Sequence, residues 1–201
     1  MTADLGRDSP AHEDDLRMSG DAKRISTPLD EATARSLRAG DRVLLSGVIY
    51  TARDAAHKRM LDGLAAGDGL PFDLTGQVVY YCGPSETPPG NAIGSAGPTT
   101  SYRMDAYAPE LHRLGLKGTI GKGDRTVEVR EACAETCSVY FVAVGGAGAL
   151  LARAVVESEV VAYEDLGPEA VRRLTVREFP VTVAYDCFGG SVFPGDVPLS
   201  A

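Results

Sequence analysis

An alternation narrows the fold more than any other feature of this chain. Four apolar, strand-like runs, over residues 42–50, 77–82, 118–120 and 139–144, each give way to a helix-patterned segment. Those segments cover residues 53–64, 100–114, 126–137 and 145–154. Strands that alternate with helices predict one α/β domain. After Val155 the texture changes, and residues 160–163, 171–176 and 181–186 are strand-like. They are linked by Asp165-Leu166-Gly167-Pro168-Glu169 and by Phe179-Pro180, which makes the expected sheet mixed. Upstream, Thr27-Pro28 offers an N-cap and an N1 proline for a short helix ending at Gly40. Gly47 leaves room for close approach to the first long strand from outside. No internal repeat and no second domain boundary is evident. Residues 1–24 read as a disordered leader, residues 25–194 as the domain and residues 195–201 as a tail.

The most informative stretch runs Gly94-Ser95-Ala96-Gly97-Pro98-Thr99-Thr100-Ser101-Tyr102-Arg103-Met104-Asp105, after the glycine- and proline-rich loop that begins at Gly83. Small residues let a backbone come close to something. Loop 83–98 is longer than a connection requires, which favours a functional role. Thr99 or Thr100 is expected to cap the following helix and to place Arg103 in its first turn. A cation there opposes the helix dipole. With free N–H groups and threonine hydroxyls beside it, Arg103 makes an anion site. The competing reading is a capped surface helix with an ordinary arginine.

Charge and composition exclude some classes. A net charge of −8 argues against a nucleic-acid face but leaves room for a local cationic pocket. No run of apolar residues is long enough to span a membrane, and the N-terminal stretch lacks a signal-peptide core, so a cytoplasmic location is expected. Cys82, Cys133, Cys137 and Cys187 show no CxxC spacing and no histidine cluster. Cys133 and Cys137 fall on one face of the predicted helix over 126–137, and two thiols so placed suit a shared metal or simply a buried, reduced pair. This set cannot hold an iron–sulfur cluster alone.

Gly121-Lys122-Gly123 lacks Walker spacing, and Gly145-Gly146-Ala147-Gly148 is not a dinucleotide fingerprint. Lys122 is either a substrate contact presented by two flexible glycines or a plain turn lysine. In Arg53-Asp54-Ala55-Ala56-His57, Arg53 either clamps a carboxylate, oriented by Asp54 or His57, or decorates an exposed helix face. Arg53, Arg103 and Lys122 all recur at strand ends or helix starts, where open α/β sheets bind ligands. Three cations with threonine hydroxyls fit a small dicarboxylate. A nucleophile with its base and a metal-ligand set are missing, so the residues describe half of an active site.

Five stretches together resemble the beta subunit, or C-terminal domain, of class I fumarases, and L-tartrate dehydratase beta subunits look much the same. They are residues 41–50, Ala52-Arg53-Asp54-Ala55-Ala56-His57, Gly97-Pro98-Thr99-Thr100-Ser101-Tyr102-Arg103-Met104-Asp105, Gly121-Lys122-Gly123 and Gly145-Gly146-Ala147. The resemblance implies a swivelling β/β/α domain with a mixed central sheet. It implies a [4Fe-4S] hydro-lyase whose cluster is held by a partner alpha subunit and not by this chain, in a dimer of heterodimers. Substrate binding falls on Arg53, Arg103, Thr99 and Lys122, with Thr99, Lys122 and Arg103 catalytic and Asp54, His57, Asp105 and Asp124 around them. The implied reaction is (S)-malate to fumarate. L-tartrate to oxaloacetate, or dehydration of a related 2-hydroxy diacid, is the alternative, and a non-catalytic dicarboxylate-binding module is the second. No nucleic-acid or membrane partner is expected. The chain departs from the family at Asp124, often asparagine, and at Glu169-Ala170-Val171-Arg172, which lacks the usual tryptophan. It departs again at Asp186-Cys187-Phe188-Gly189-Gly190.

Overall fold

Two long strands frame the domain in a computed structural model that describes residues 22–196 and 199. Strand β2 (Arg42–Thr51) and strand β7 (Val171–Tyr185) run antiparallel, from Arg42 opposite Thr182 to Thr51 opposite Arg172. On its other edge β2 carries β1 (Lys23–Ser26) and then β3 (Val78–Tyr80), both parallel to it. Strands β4 (Gly118–Gly121) and β5 (Val139–Val142) continue the parallel set, and β5 pairs antiparallel with the end of β7. The path β2-β3-β4-β5-β7 therefore returns to β2 and closes a small barrel. Strand β6 (Val155–Ala162) lies along the free edge of β7. Closure leaves few unpaired strand edges. The architecture is a mixed α/β domain of the swivelling β/β/α kind.

Side-chain alternation builds the two sides of the sheet. Val78 and Tyr80 point into the core with Leu45, Ile49, Ile120, Phe141, Leu174 and Phe179. Their neighbours Val79 and Tyr81 point the other way, against Ala56 and Met60. Those two residues belong to helix α2 (Asp54–Ala66), which follows α1 (Glu31–Ser36). Helix α3 (Ala108–Arg113) packs on α4 (Val127–Thr136) through Ala108, Val129 and Cys133. Helix α5 (Gly148–Ala152) follows β5.

Local expectations need correction at several points. Asp30, not Thr27, caps α1, accepting the Thr33 N–H at 2.7 Å, while the Thr27 hydroxyl donates to the Val48 carbonyl. Thr27 is what approaches Gly47: a Cβ there would lie 2.6 Å from its Oγ1. The helix expected over 100–114 is instead a 3-10 turn, Ser101–Met104, and then α3, with Pro109 in its first turn. Phe179-Pro180 is not a link between strands. β7 runs straight through it, because the shifted register opposite Leu45–Gly47, with Glu178 at φ +50°, takes up the irregularity. Cys133 and Cys137 do not share a face: Cys137 ends α4 at φ +50° and joins the barrel core. β1 takes Lys23 and Arg24 from the stretch read as leader, residues 1–21 lie outside the described residues, and Asp196 in the stretch read as tail pairs with Arg130 at 3.6 Å.

A buried cation ties these elements together. The Arg125 side chain is fully buried, with Nε 2.5 Å from Asp105 Oδ1 and Nη2 donating to the Tyr81 hydroxyl at 3.3 Å. Its guanidinium lies over the rings of Tyr81 and Tyr140, and its backbone N–H donates to the Tyr185 hydroxyl. Burial opposes the charge, but Tyr81, Asp105 and Tyr140 outweigh it and hold the pKa above its ordinary value. Removing one member of such a pair strands the other. Arg125→Met should therefore destabilise the fold by about 3–5 kcal/mol in urea unfolding. Adding Asp105→Asn should recover part of that loss, and two additive losses would argue against the pair.

Two fully buried histidines make stability depend on pH. His57 Nδ1 is 2.8 Å from the Arg53 carbonyl and His112 Nδ1 is 2.9 Å from the Leu116 carbonyl. Burial pushes each down to about 4 from 6.5, helped by the charge of Arg125 and opposed by the backbone bond. The unfolded chain takes up these protons at higher pH than the folded one does. Their contribution is thus intact above pH 6.5 and is lost as pH falls through about 4. At pH 5 roughly 2 kcal/mol per histidine should be gone, measured by urea unfolding. His112→Asn, which keeps a donor for Leu116, should remove half of this dependence, and an unchanged dependence would exclude the assignment.

Candidate active site

The parallel strands β2, β3, β4 and β5 all end on one side of the barrel, and the sequence-predicted cations emerge there. Arg53 follows β2 at the N-cap of α2 in extended conformation, with no capping side chain of its own. Lys122 follows β4. Arg103 stands on the 3-10 turn that leads away from Thr99 and Thr100.

Asp54 joins the two arginines. Its Oδ2 is 2.6 Å from Arg103 Nη2 and its Oδ1 is 3.9 Å from Arg53 Nε. Neither Arg53 Nε nor Asp54 Oδ1 has a hydrogen bond, although both atoms are buried. A guanidinium has five N–H donors, so a single contact through Nη2 leaves most of Arg103 available to another anion. Lys58, one helical turn on from Asp54, pairs with Asp62 at 2.6 Å.

The rim around Lys122 is built by close approach. Thr100 and Lys122 form a parallel bridge, the Ser101 N–H donates to the Lys122 carbonyl at 3.0 Å, and the Lys122 N–H donates to Ser101 Oγ at 3.1 Å. Gly121 permits this: a Cβ there would overlap Ser101 Oγ. It is therefore tightly packed and not a flexible hinge, whereas Gly123 does adopt φ +81°. Tyr140 Oη lies 2.7 Å from the Gly123 carbonyl and 2.8 Å from Ser101 Oγ. A carbonyl only accepts, so Tyr140 donates to Gly123 and takes the Ser101 hydroxyl as its own donor. Thr100 is therefore no helix cap, and a four-residue 3-10 turn supplies no macrodipole for an anion. Among the described residues no carboxylate pairs with the Lys122 ammonium and nothing bonds the Thr99 hydroxyl, while the Thr99 N–H donates to the Tyr81 carbonyl at 2.7 Å.

Other expected site residues lie elsewhere. His57 is beneath the rim, sealed against Tyr81 and Tyr107, and is neutral at pH 7. Asp105 is committed to Arg125 and to the Thr126 N–H at 2.7 Å. Asp124 is exposed at the edge. One participant escaped sequence reasoning. Glu169 Oε1 lies 3.3 Å from Arg53 Nη2, and Oε2 accepts the Ala55 N–H at 3.1 Å. The available signal was α2 itself, whose start has no capping residue and so needs a foreign acceptor. Arg53 and Arg103 thus face Asp54 and Glu169, and Lys122 at the end of β4 has no carboxylate partner among the described residues.

The cysteines do not fit a metal centre. All four thiols are free and buried, and no three histidine, cysteine or carboxylate side chains converge among the described residues. Burial pushes Cys82 and Cys187 up to about 12 and Cys133 up to about 11, so these thiols are protonated at neutral pH. Among the described residues no helix is long and apolar enough to cross a membrane.

Residues 2–195 match the family model described as Fumarase C-terminus. The chain is 34% identical over 188 residues to "Fumarate hydratase class I, aerobic" of Escherichia coli (strain K12), covering 90% of this chain and 34% of that protein. It is 39% identical over 154 residues to "Fumarate hydratase 1, mitochondrial" of Leishmania major, covering 76% of this chain and 28% of that protein. It is 37% identical over 171 residues to "Putative L(+)-tartrate dehydratase subunit beta" of Methanocaldococcus jannaschii, covering 82% of this chain and 88% of that protein. The chain spans about a third of the length of the fumarate hydratases it matches. With the barrel, the cationic rim and these matches together, the chain belongs to the class I fumarate hydratase and tartrate dehydratase family, as its beta-subunit-like C-terminal region.

Proposed function

We propose that this chain is the substrate-clamping half of a hydro-lyase that interconverts (S)-malate and fumarate. The observation that supports the reading is that Arg53, at the end of β2, and Arg103, on the 3-10 turn, share Asp54, while Lys122 follows the end of the parallel strand β4. L-Tartrate is the second substrate, favoured by the relative whose length this chain nearly matches, a putative L(+)-tartrate dehydratase subunit beta. Four buried thiols suit the reducing cytoplasm.

Each residue has a definite task. Arg103 and Arg53 bind the substrate carboxylates through the N–H groups that Asp54 and Glu169 leave free. A carboxylate gripped in this way also disperses the negative charge that builds on the adjacent carbon as its C–H bond breaks. Lys122 contributes the unneutralised charge. Thr99 stands at that carbon and passes its proton, with a partner group as the activating base. The residues of this chain do not fit the [4Fe-4S] cluster of the family, which we place on an alpha subunit in a dimer of heterodimers, with loop 83–98 facing that subunit.

Two outcomes are expected under anaerobic conditions. The chain alone should bind no cluster and leave malate unchanged, while the chain with its partner should turn malate over. Iron and sulfide analysis with a dehydration assay checks this, and about four irons with turnover on the lone chain would refute it. In the complex, Arg103→Met should lower kcat/KM by more than a hundredfold, about 3 kcal/mol. Near-normal turnover by that variant would end the role of Arg103. A higher kcat/KM for tartrate than for malate would reverse the substrate order.

A further inference from the structure

We infer that Glu169 is a positioning residue for the substrate clamp: from the turn that precedes β7, it holds the Arg53 guanidinium in its working orientation. The inference rests on the proposed role of Arg53. The carboxylate makes one ion pair and one hydrogen bond. Oε1 lies 3.3 Å from Arg53 Nη2 as an ion pair, and Oε2 accepts the Ala55 N–H at 3.1 Å. The hydrogen bond anchors the carboxylate to the first turn of α2, so the ion pair has a fixed origin. Without it, Glu169 would be a flexible side chain making one partly exposed ion pair, which orders little.

The segment that carries Glu169 is itself pinned. Glu164–Glu169 forms a 3-10 turn between β6 and β7. Arg59 of α2 grips Asp165 of that turn through two bonds, at 2.7 and 2.8 Å. Just after the turn, the Arg172 N–H donates to Thr51 Oγ1 at 3.1 Å, so the chain re-enters the sheet beside the end of β2.

Arg53 is also crowded at Gly83. A Cβ on Gly83 would lie 2.8 Å from Arg53 Nη1, 3.1 Å from its Cδ and 3.1 Å from the Pro168 carbonyl. Gly83 thus leaves room both for Arg53 and for the backbone that leads into Glu169. Asp54 is a weak orienter of Arg53 by comparison, at 3.9 Å from Nε. Arg103 has the tight contact to Asp54, at 2.6 Å. Each clamp arginine therefore has its own carboxylate: Asp54 for Arg103 and Glu169 for Arg53.

Glu169→Gln separates position from packing. The amide oxygen still accepts from Ala55, while the charge facing Arg53 is lost. Two readouts are needed, one of them independent of catalysis. In the full chain, the buried Arg53 Nε–H should give a slowly exchanging ¹⁵N resonance, and in Glu169→Gln its exchange should accelerate at least about tenfold with the melting temperature little changed. In the complex with its partner, KM for malate should rise at least about tenfold, with a smaller change in kcat. Gly83→Ala, which crowds Arg53 directly, should reproduce both effects and serves if the first variant folds poorly. An unchanged Arg53 resonance and KM, or a fall in melting temperature alone, would overturn the role of Glu169. If the wild-type complex dehydrates none of malate, tartrate or citramalate, the functional reading falls, and the Arg53 resonance still decides whether Glu169 orders it.

Discussion

The site depends on a charge that no ligand touches. Arg125 carries its guanidinium into a region with no solvent access, where its partners make burial tolerable although Nη1 has no hydrogen bond. The side chain's partners come from three places, Asp105 after the 3-10 turn, Tyr81 just after β3 and Tyr140 in β5, and Tyr185 at the end of β7 accepts the Arg125 backbone N–H. Moving any one of them leaves a buried charge or hydroxyl short of a contact. Because Arg125 is so close to Lys122 in the chain, the same demand fixes the turn after β4. Tyr140 serves both, lying under the guanidinium and bonding the Gly123 carbonyl. The geometry of a half-buried lysine is thus set by a hidden arginine.

Barrel closure explains why the rim faces one way. Four parallel strands end on the same side, and β7 returns antiparallel between β5 and β2 to complete the ring. To pair with both, β7 must bend, and the irregularity at Glu178 supplies the bend without costing Phe179 its place in the core. Phe179 meets Tyr80 edge-on at 5.3 Å, on the strand that leads to the loop before Thr99. The bend that closes the barrel and the strand that feeds the site therefore share one contact.

What could be read from the sequence was local. The alternation of strands and helices, the exit of Arg53, Arg103 and Lys122 at strand ends and the close approach at Gly47 all follow from neighbouring residues. What could not be read involves distant partners. The segment over 100–114 has helical spacing, but Asp105 is drawn to Arg125, twenty positions on, and the helix breaks there. Thr100 looks like a cap until the bridge to Lys122 claims it. Glu169 sits in a turn, and nothing near it in sequence announces a bond to Ala55 across 114 positions. Cys133 and Cys137 have one-face spacing, but the left-handed residue that ends α4 sends Cys137 into another layer.

The carboxylates beside the arginines resolve an apparent contradiction in a site built to bind anions. Three cations gathered at one rim repel one another, and unopposed arginines would swing out to water, where their charge is screened. Asp54 and Glu169 remove most of that repulsion and give each guanidinium a fixed edge. Both contacts go through Nη2, so each arginine keeps donors on its other nitrogens. In the proposed clamp, the remaining positive charge, on Lys122, would attract a doubly charged anion, and the arginines would exchange water for carboxylate without abandoning their own partners. On that reading binding would cost little reorganisation, and the free energy of the new contacts would be available to the transition state, where the negative charge on the held carboxylate is greatest.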